Sequence, residues 1–271
     1  MSGGEVIPPS GEHPSVPDLD LSPDLFLSGK DRKKVSLILH PDAALPLPRE
    51  VTVSMDGDAE LFEGDIVVTP EKQQRPELKS SLYGLSIRKG GGKWPDGIVH
   101  YLIENGLEGV VREAIAHWEA HTPIRFSEGL GTGDYASFED RGRCRSRIGR
   151  ADSGQVVELK IGCSTGDVIH EIGHVVGLWH EQSRHDRRHY VKVLTENIKD
   201  NEEYNFDPHN GTAENRGDYD IKSIMHYPST AFSKNGKPTI VALDGKLIPS
   251  KSGLSRGDIA AVRALYSELA W

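Results

Sequence analysis

Three histidines and a glutamate in HEIGHVVGLWHEQ, residues 170–182, have the types and the spacing to hold a metal ion and use it. On a helix His170 and His174 lie one turn apart on one face, where two imidazoles reach a single ion, and Glu171 stands beside them. Gly177, three residues on, suits the left-handed backbone that ends a helix, so the chain can turn back and bring His180 to the same metal. Three neutral imidazoles favour zinc and leave positions open for water, as a catalytic rather than a structural site requires. The chemistry this implies is metal-assisted peptide hydrolysis, in which zinc lowers the pKa of water and polarises a carbonyl. Glu171 would take the proton and pass it to the leaving amine. HExxH alone also occurs on ordinary amphipathic helices; Gly177 and His180 make the pattern specific.

HExxHxxGxxH followed by SIMHY at 223–227 is similar to the metzincin metallopeptidases, and Glu181 directly after the third histidine resembles the astacin family. The likeness continues through KWPDGIVHY, HEQSRHDRRHYVKV and LSRGDIAAVRALY and covers roughly residues 85–271. It implies an α+β catalytic domain of two subdomains flanking an active-site cleft with zinc at its floor. Met225 would pack beneath the metal, and Tyr227 would be a zinc ligand able to swing away and stabilise the tetrahedral oxyanion. Glu181 would be the buried carboxylate that receives the new α-ammonium once a propeptide is removed. VVELKIGC, before the zinc motif, would be the edge strand that pairs with an extended protein or peptide substrate. Lys251 would face the primed side of the cleft and favour an acidic residue after the scissile bond, its bland alternative being a solvated loop lysine. Other metzincin branches generally place different residues at 181 and 227. An inactive zinc-binding or adhesion module on the same fold is the alternative function, and the intact set His170, Glu171, His174, His180 and Tyr227 argues against it.

LFEGDIVV, residues 61–68, reads as a short strand with a carboxylate out of place. The resemblance accounts for that carboxylate, because Phe62, Gly64 and Asp65 match the FxGD of astacin propeptides, whose aspartate takes the catalytic water's place on zinc. Residues 1–84 then form a propeptide-like segment and 85–271 the catalytic domain, with an activating protease as a further partner. One departure stands out. Astacins usually carry two disulfides, and Cys144 and Cys163 match only the pair shortly before the zinc helix; Pro123 stands where the other pair would begin, and LYSELAW holds no cysteine.

The elements that must position these groups are legible in outline. STGDVIHEIGHVVG reads as a helix opened by Ser/Thr and closed by Gly177. LEGVVREAIAHWEAHT is a second helix, with Val111, Ile115 and Trp118 on one face, flanked by the strands IVHYLI and IRFSE. VVELKIG is a further strand, and SRGDIAAVRALY a final helix with Ser255 and Asp258 spaced as a capping box. Upstream, VSLILH and VTVSM look like strands, residues 1–30 like an extended lead, and TPEKQQRPELKSS with RKGGGKWPDG like an exposed connection that holds the domain boundary.

Composition excludes some functions. The net charge is −9, and residues 1–80 carry most of it, with 15 acidic and 8 basic side chains, so nothing suggests a nucleic-acid partner. No apolar run is long enough for a membrane span, and MSGGEVIPPSGEHPSVPDLD has neither the basic start nor the apolar core of a secretory signal. An extracellular location is nonetheless expected from the resemblance. Read by themselves, two cysteines are one bridge or two buried thiols, whereas the family match implies a disulfide. The arginines at 141, 143, 145, 147 and 150 read as a solvated face or as an anion or substrate contact. Asn210-Gly211-Thr212 is a glycosylation sequon, a pattern that chance also produces.

Overall fold

The computed structural model describes residues 31–37, 49–57, 59–68, 92–131, 133–151, 153–208 and 217–269. The lead segment 1–30, the connection 69–91 with the boundary placed at 84/85, and the sequon at 210–212 lie outside the described residues.

The front of the chain forms an antiparallel sheet in sequence order: β1 (Asp31–Leu37), β2 (Arg49–Asp56), β3 (Ala59–Phe62) and β4 (Ile66–Val67). LFEGDIVV is therefore a hairpin rather than one strand, with Phe62 opposite Ile66 and Glu63, Gly64 and Asp65 in the turn. The backbone explains the difference, since Glu63 and Gly64 both have positive φ (+52° and +86°), which reverses the chain and cannot continue a strand. Gly64 is further required by space: a Cβ there would lie 2.5 Å from the ring of Phe232.

A second sheet is parallel, in the order β6-β5-β7-β8, built from β5 (Ile98–Ile103), β6 (Arg125–Glu128), β7 (Ala136–Asp140) and β8 (Gln155–Leu159). Helix α1 (Glu108–His121) links β5 to β6 and buries Val111, Ala114, Ile115 and Trp118, the face expected from its spacing. It packs on α2 (Thr165–Val176), which follows β8. Ser164 caps α2 in a capping box with Asp167, and Gly177 ends it at φ +110°. The hydrophobic stretch VVGLW could otherwise carry the helix on; the left-handed glycine turns it instead.

Beyond Gly177 the chain is mostly irregular, with short 3-10 turns, the antiparallel pair β9 (Val191–Val193) and β10 (Ile240–Ala242), and α3 (Arg256–Leu265) capped by Ser255 and Asp258 as expected. The front hairpin lies between these parts. Val67 N donates to Ser146 O at 2.8 Å on one side, and Gly64 meets Phe232 on the other. Among the described residues no helix is long and apolar enough to cross a membrane.

β8, within VVELKIGC, is the outermost strand of the parallel sheet, the edge position expected of it. β8 pairs with β7 on one side, and its other edge is taken by Arg145, whose N and O bond to Glu158 O and N at 2.9 Å each. Ser146, the next residue and fully buried, pairs with Ile66 of the front hairpin in a parallel bridge.

Candidate metal centre

Helix α2 places His170 and His174 one turn apart, and the chain reversal at Gly177 returns His180 to them. Asp65 completes the group: one ligand atom from each of these four buried residues lies within 4.8 Å of all the others. Asp65 Oδ2 is 3.2 Å from His180 Nε2 and 3.3 Å from His170 Nε2, and Oδ1 is 3.8 Å from His174 Nε2. The three Nδ1 atoms point outward to other partners, the carbonyl of Ile224 for His170, the carbonyl of Leu178 for His174 and Glu63 for His180. Each ring therefore turns its Nε2 inward.

This donor set fits zinc. Three imidazoles and one carboxylate are a four-coordinate zinc set, and two of the inward atoms, His174 Nε2 and Asp65 Oδ1, are buried without a hydrogen-bond partner among the described residues. Such atoms are costly unless an ion occupies the space between them. Charge in the cluster follows from proximity. Burial alone would raise the Asp65 carboxyl, but the histidines around it, His180 foremost, hold it well below the usual carboxylate range. Burial opposes charge on His180, and the Asp65 and Glu63 carboxylates outweigh it and push the ring up to about 10. A metal ion displaces that proton, since it binds the neutral ring. His174 is held well below its ordinary value, first by burial and then by its two neighbouring histidines.

Glu171 is fully buried beside the cluster, and neither carboxylate oxygen has a hydrogen-bond partner among the described residues. Burial, with the charge of Asp65 behind it, pushes its pKa well above the carboxylate range. The Tyr227 hydroxyl donates to the carbonyl of Glu63 at 2.5 Å, and burial keeps it protonated.

Beyond geometry, residues 86–267 match the family profile described as Astacin, a peptidase family. The chain belongs to the astacin family. It is similar to "Blastula protease 10" of Paracentrotus lividus, 35% identical over 228 residues, a match that covers 76% of this chain and 38% of that protein. It is also similar to "Nematocyst expressed protein 6" of Nematostella vectensis, 34% identical over 226 residues and covering 76% and 77% of the two chains. Among solved structures it resembles High choriolytic enzyme 1, a hatching enzyme zinc-protease from Oryzias latipes, with a TM-score of 0.59 and 31% identity over 65% of this chain and 92% of that one. The chain thus spans less than two fifths of the length of blastula protease 10.

Other astacin-motif residues surround the cluster. Met225 is 2% exposed and packs against α2 at Gly173, where a Cβ would come within 2.5 Å of its sulfur. Asp258 also does more than cap α3: it accepts from Ser223 Oγ at 2.6 Å and Ile224 N at 2.9 Å, fixing the turn whose Ile224 carbonyl holds His170. Glu181 accepts from Asp220 N at 2.7 Å and borders a cavity of about 40 Å³ shared with Asp218, Asp220 and Asp258. Burial pushes its pKa up to about 7.

Cys144 and Cys163 form a disulfide. Lys251 is half-buried, its Nζ donating to the carbonyl of His226 at 3.2 Å, and burial pushes its pKa down to about 7. The arginine strip is neither a solvated face nor an anion site throughout, because Arg143 and Arg145 pair with Asp56 of β2 and Arg145 also pairs with Glu158 at 2.8 Å.

Proposed function

We propose that the chain is a zinc-dependent endopeptidase held latent by its own front segment, with residues 1–84 as propeptide and 85–271 as catalytic domain. The observation that carries this reading is Glu171, a buried carboxylate beside three inward-facing imidazoles, with both oxygens unpartnered among the described residues. Zinc bound by His170, His174 and His180 supplies Lewis-acid polarisation of a peptide carbonyl and a lowered pKa for water. Glu171 accepts a proton from the attacking water and returns it to the departing amine, roles suited to a carboxylate whose pKa is raised by burial.

Tyr227 donates to the oxyanion that forms on the scissile carbonyl and serves as a metal ligand between turnovers. Its present bond, a hydroxyl donating to a peptide carbonyl, is the same kind of contact and supports the donor role. Met225 packs under the site, and Gly177 shapes the return of His180.

Latency rests on Asp65, whose carboxylate occupies the position opposite the three histidines that substrate chemistry needs. The hairpin also covers the pairing edge at Ser146, so a substrate strand has no place to add. An activating protease acting on the connection beyond β4 would release both blocks. Glu181 would then receive the new α-ammonium in its acidic cavity, where a carboxyl raised by burial gains most from a cation. Lys251 would favour substrates with an acidic side chain after the scissile bond. The Cys144–Cys163 disulfide supports an extracellular setting.

The test compares the intact chain with the chain after limited proteolysis, on a generic protein substrate with and without chelator, with mass spectrometry of the new N-terminus. Chelator-sensitive hydrolysis that appears only after cleavage is the expected result. A zinc-loaded, cleaved chain with no hydrolysis would instead assign it the role of a zinc-binding or adhesion module.

A further inference from the structure

A metal-facing imidazole must present a bare Nε2, and a partner that accepts the Nδ1 proton fixes that tautomer and the angle of the ring. Two of the three rings find this partner within the catalytic region, as main-chain carbonyls at 2.9 Å: Ile224 for His170 and Leu178 for His174. His180 differs. Among the described residues its Nδ1 partner is Glu63 Oε2 at 2.8 Å, a carboxylate carried by the front hairpin.

Glu63 is built into this position on every side. It is 1% exposed, its other carboxylate oxygen accepts from Ser183 Oγ, and its carbonyl accepts from Tyr227. Its φ of +52° lies in the left-handed region, where a non-glycine residue is held at a cost by its surroundings. A buried carboxylate in a strained turn is poorly explained as packing filler, since a glycine would relieve the strain and an apolar side chain the desolvation.

We propose that Glu63 is a positioning residue that completes the zinc site of the latent chain, accepting the Nδ1 proton of His180, directing its Nε2 at the metal and so slowing zinc release. The inference rests on the reading of Asp65 as the latency carboxylate and of the three histidines as zinc ligands. The hairpin then grips His180 from both ends, Asp65 at Nε2 and Glu63 at Nδ1. Removing the front segment takes away both carboxylates, so the activated enzyme holds its metal less firmly than its precursor.

The test uses the full-length, zinc-loaded chain mixed with excess chromogenic chelator, together with its cobalt-substituted form. Glu63→Ala is expected to release zinc roughly tenfold or more faster than wild type, the usual scale for loss of a ligand's outer partner. Glu63→Gln should fall between, because its amide oxygen still accepts the proton without the charge, and both variants should shift the visible cobalt spectrum. Ser183→Ala leaves the carboxylate on His180 and should release zinc at close to the wild-type rate. Asp65→Ala, assayed in the same full-length chain for binding of a small hydroxamate to the metal, reports on the underlying reading: if the metal is no more accessible than in wild type, that reading fails. If Asp65→Ala exposes the metal to the hydroxamate while Glu63→Gln melts like wild type, releases zinc at the wild-type rate and keeps its cobalt spectrum, the role of Glu63 is overturned and the reading of Asp65 stands. Should Glu63→Ala not fold, the near-isosteric Glu63→Gln decides on the same two readouts.

Discussion

Residues 92–269 close a core of their own, in which Trp94, Trp118, Phe138, Ile172 and Tyr266 are buried between sheet, helices and the irregular half. Among the described residues the front sheet does not. Its apolar side chains Val53, Phe62, Ile66 and Val68 form a small cluster only together with Ile148 and Trp179 of the region behind it. Two of its charges also reach that region, Arg32 pairing with Glu202 and Asp56 with Arg145, while Lys33 pairs with Glu60 inside the sheet. One region is thus stabilised internally and the other largely by docking, as the proposed role of a removable propeptide requires. A four-residue and a two-residue strand, β3 and β4, could not stand alone.

Substitutions that act on one region and spare the other sharpen this contrast. Glu171→Gln, within the self-contained region, is expected to lower turnover of the activated enzyme roughly 10²–10⁴-fold with zinc content unchanged, because the ligands remain and the proton acceptor does not. Metal analysis beside a kinetic assay checks both halves, and near-normal activity in the fully metallated variant would sink the mechanism. Phe62→Ala should weaken docking of the front sheet by about 3 kcal/mol, since it empties the contact with Trp179. Hydrogen exchange would read it as lost protection in residues 59–68, with exchange in α1 and α2 unaltered; equal loss in both would contradict the division.

The double change Cys144→Ser with Cys163→Ser should cost the catalytic region about 3 kcal/mol through its unfolded state and leave Asp65 on the histidines. Denaturant unfolding measures the first, and persistent latency of the intact chain the second. Asp65→Ala should raise the affinity of the uncleaved chain for a small zinc-binding hydroxamate about tenfold or more, since a charge-assisted contact is worth at least ~1.5 kcal/mol. The smallest effect is expected at Lys251. Its folded pKa of about 7 lies below its unfolded value, so between those two pH values the unfolded chain binds more protons and stability rises with pH. Lys251→Met should remove that rise between pH 7 and 10. Melting curves of both proteins across that range decide it, and parallel curves would mean the ammonium stays solvated.

The ligands, the helix that carries two of them and the glycine that brings in the third could be read directly from HEIGHVVGLWH, because i,i+4 spacing and a left-handed cap act over a few residues. The capping boxes at Ser164 and Ser255 and the apolar face of α1 were legible for the same reason. What escaped the sequence depends on contacts between distant segments. LFEGDIVV alternates well enough to pass for one strand, and only the close approach to Phe232 and the positive φ at Glu63 and Gly64 make it a hairpin. β7 carries too few β-branched residues to announce itself, and nothing local shows that Arg145 bridges β8 at Glu158, because which backbone lies beside a sheet's last strand is set by tertiary packing. The sequence therefore determined which atoms could bind a metal; the tertiary structure decided what stands behind each of them, giving His170 and His174 main-chain partners and His180 a carboxylate from 117 residues away. An imidazole's spacing is set by its helix, but its outer hydrogen bond is set by whatever the rest of the fold packs against it.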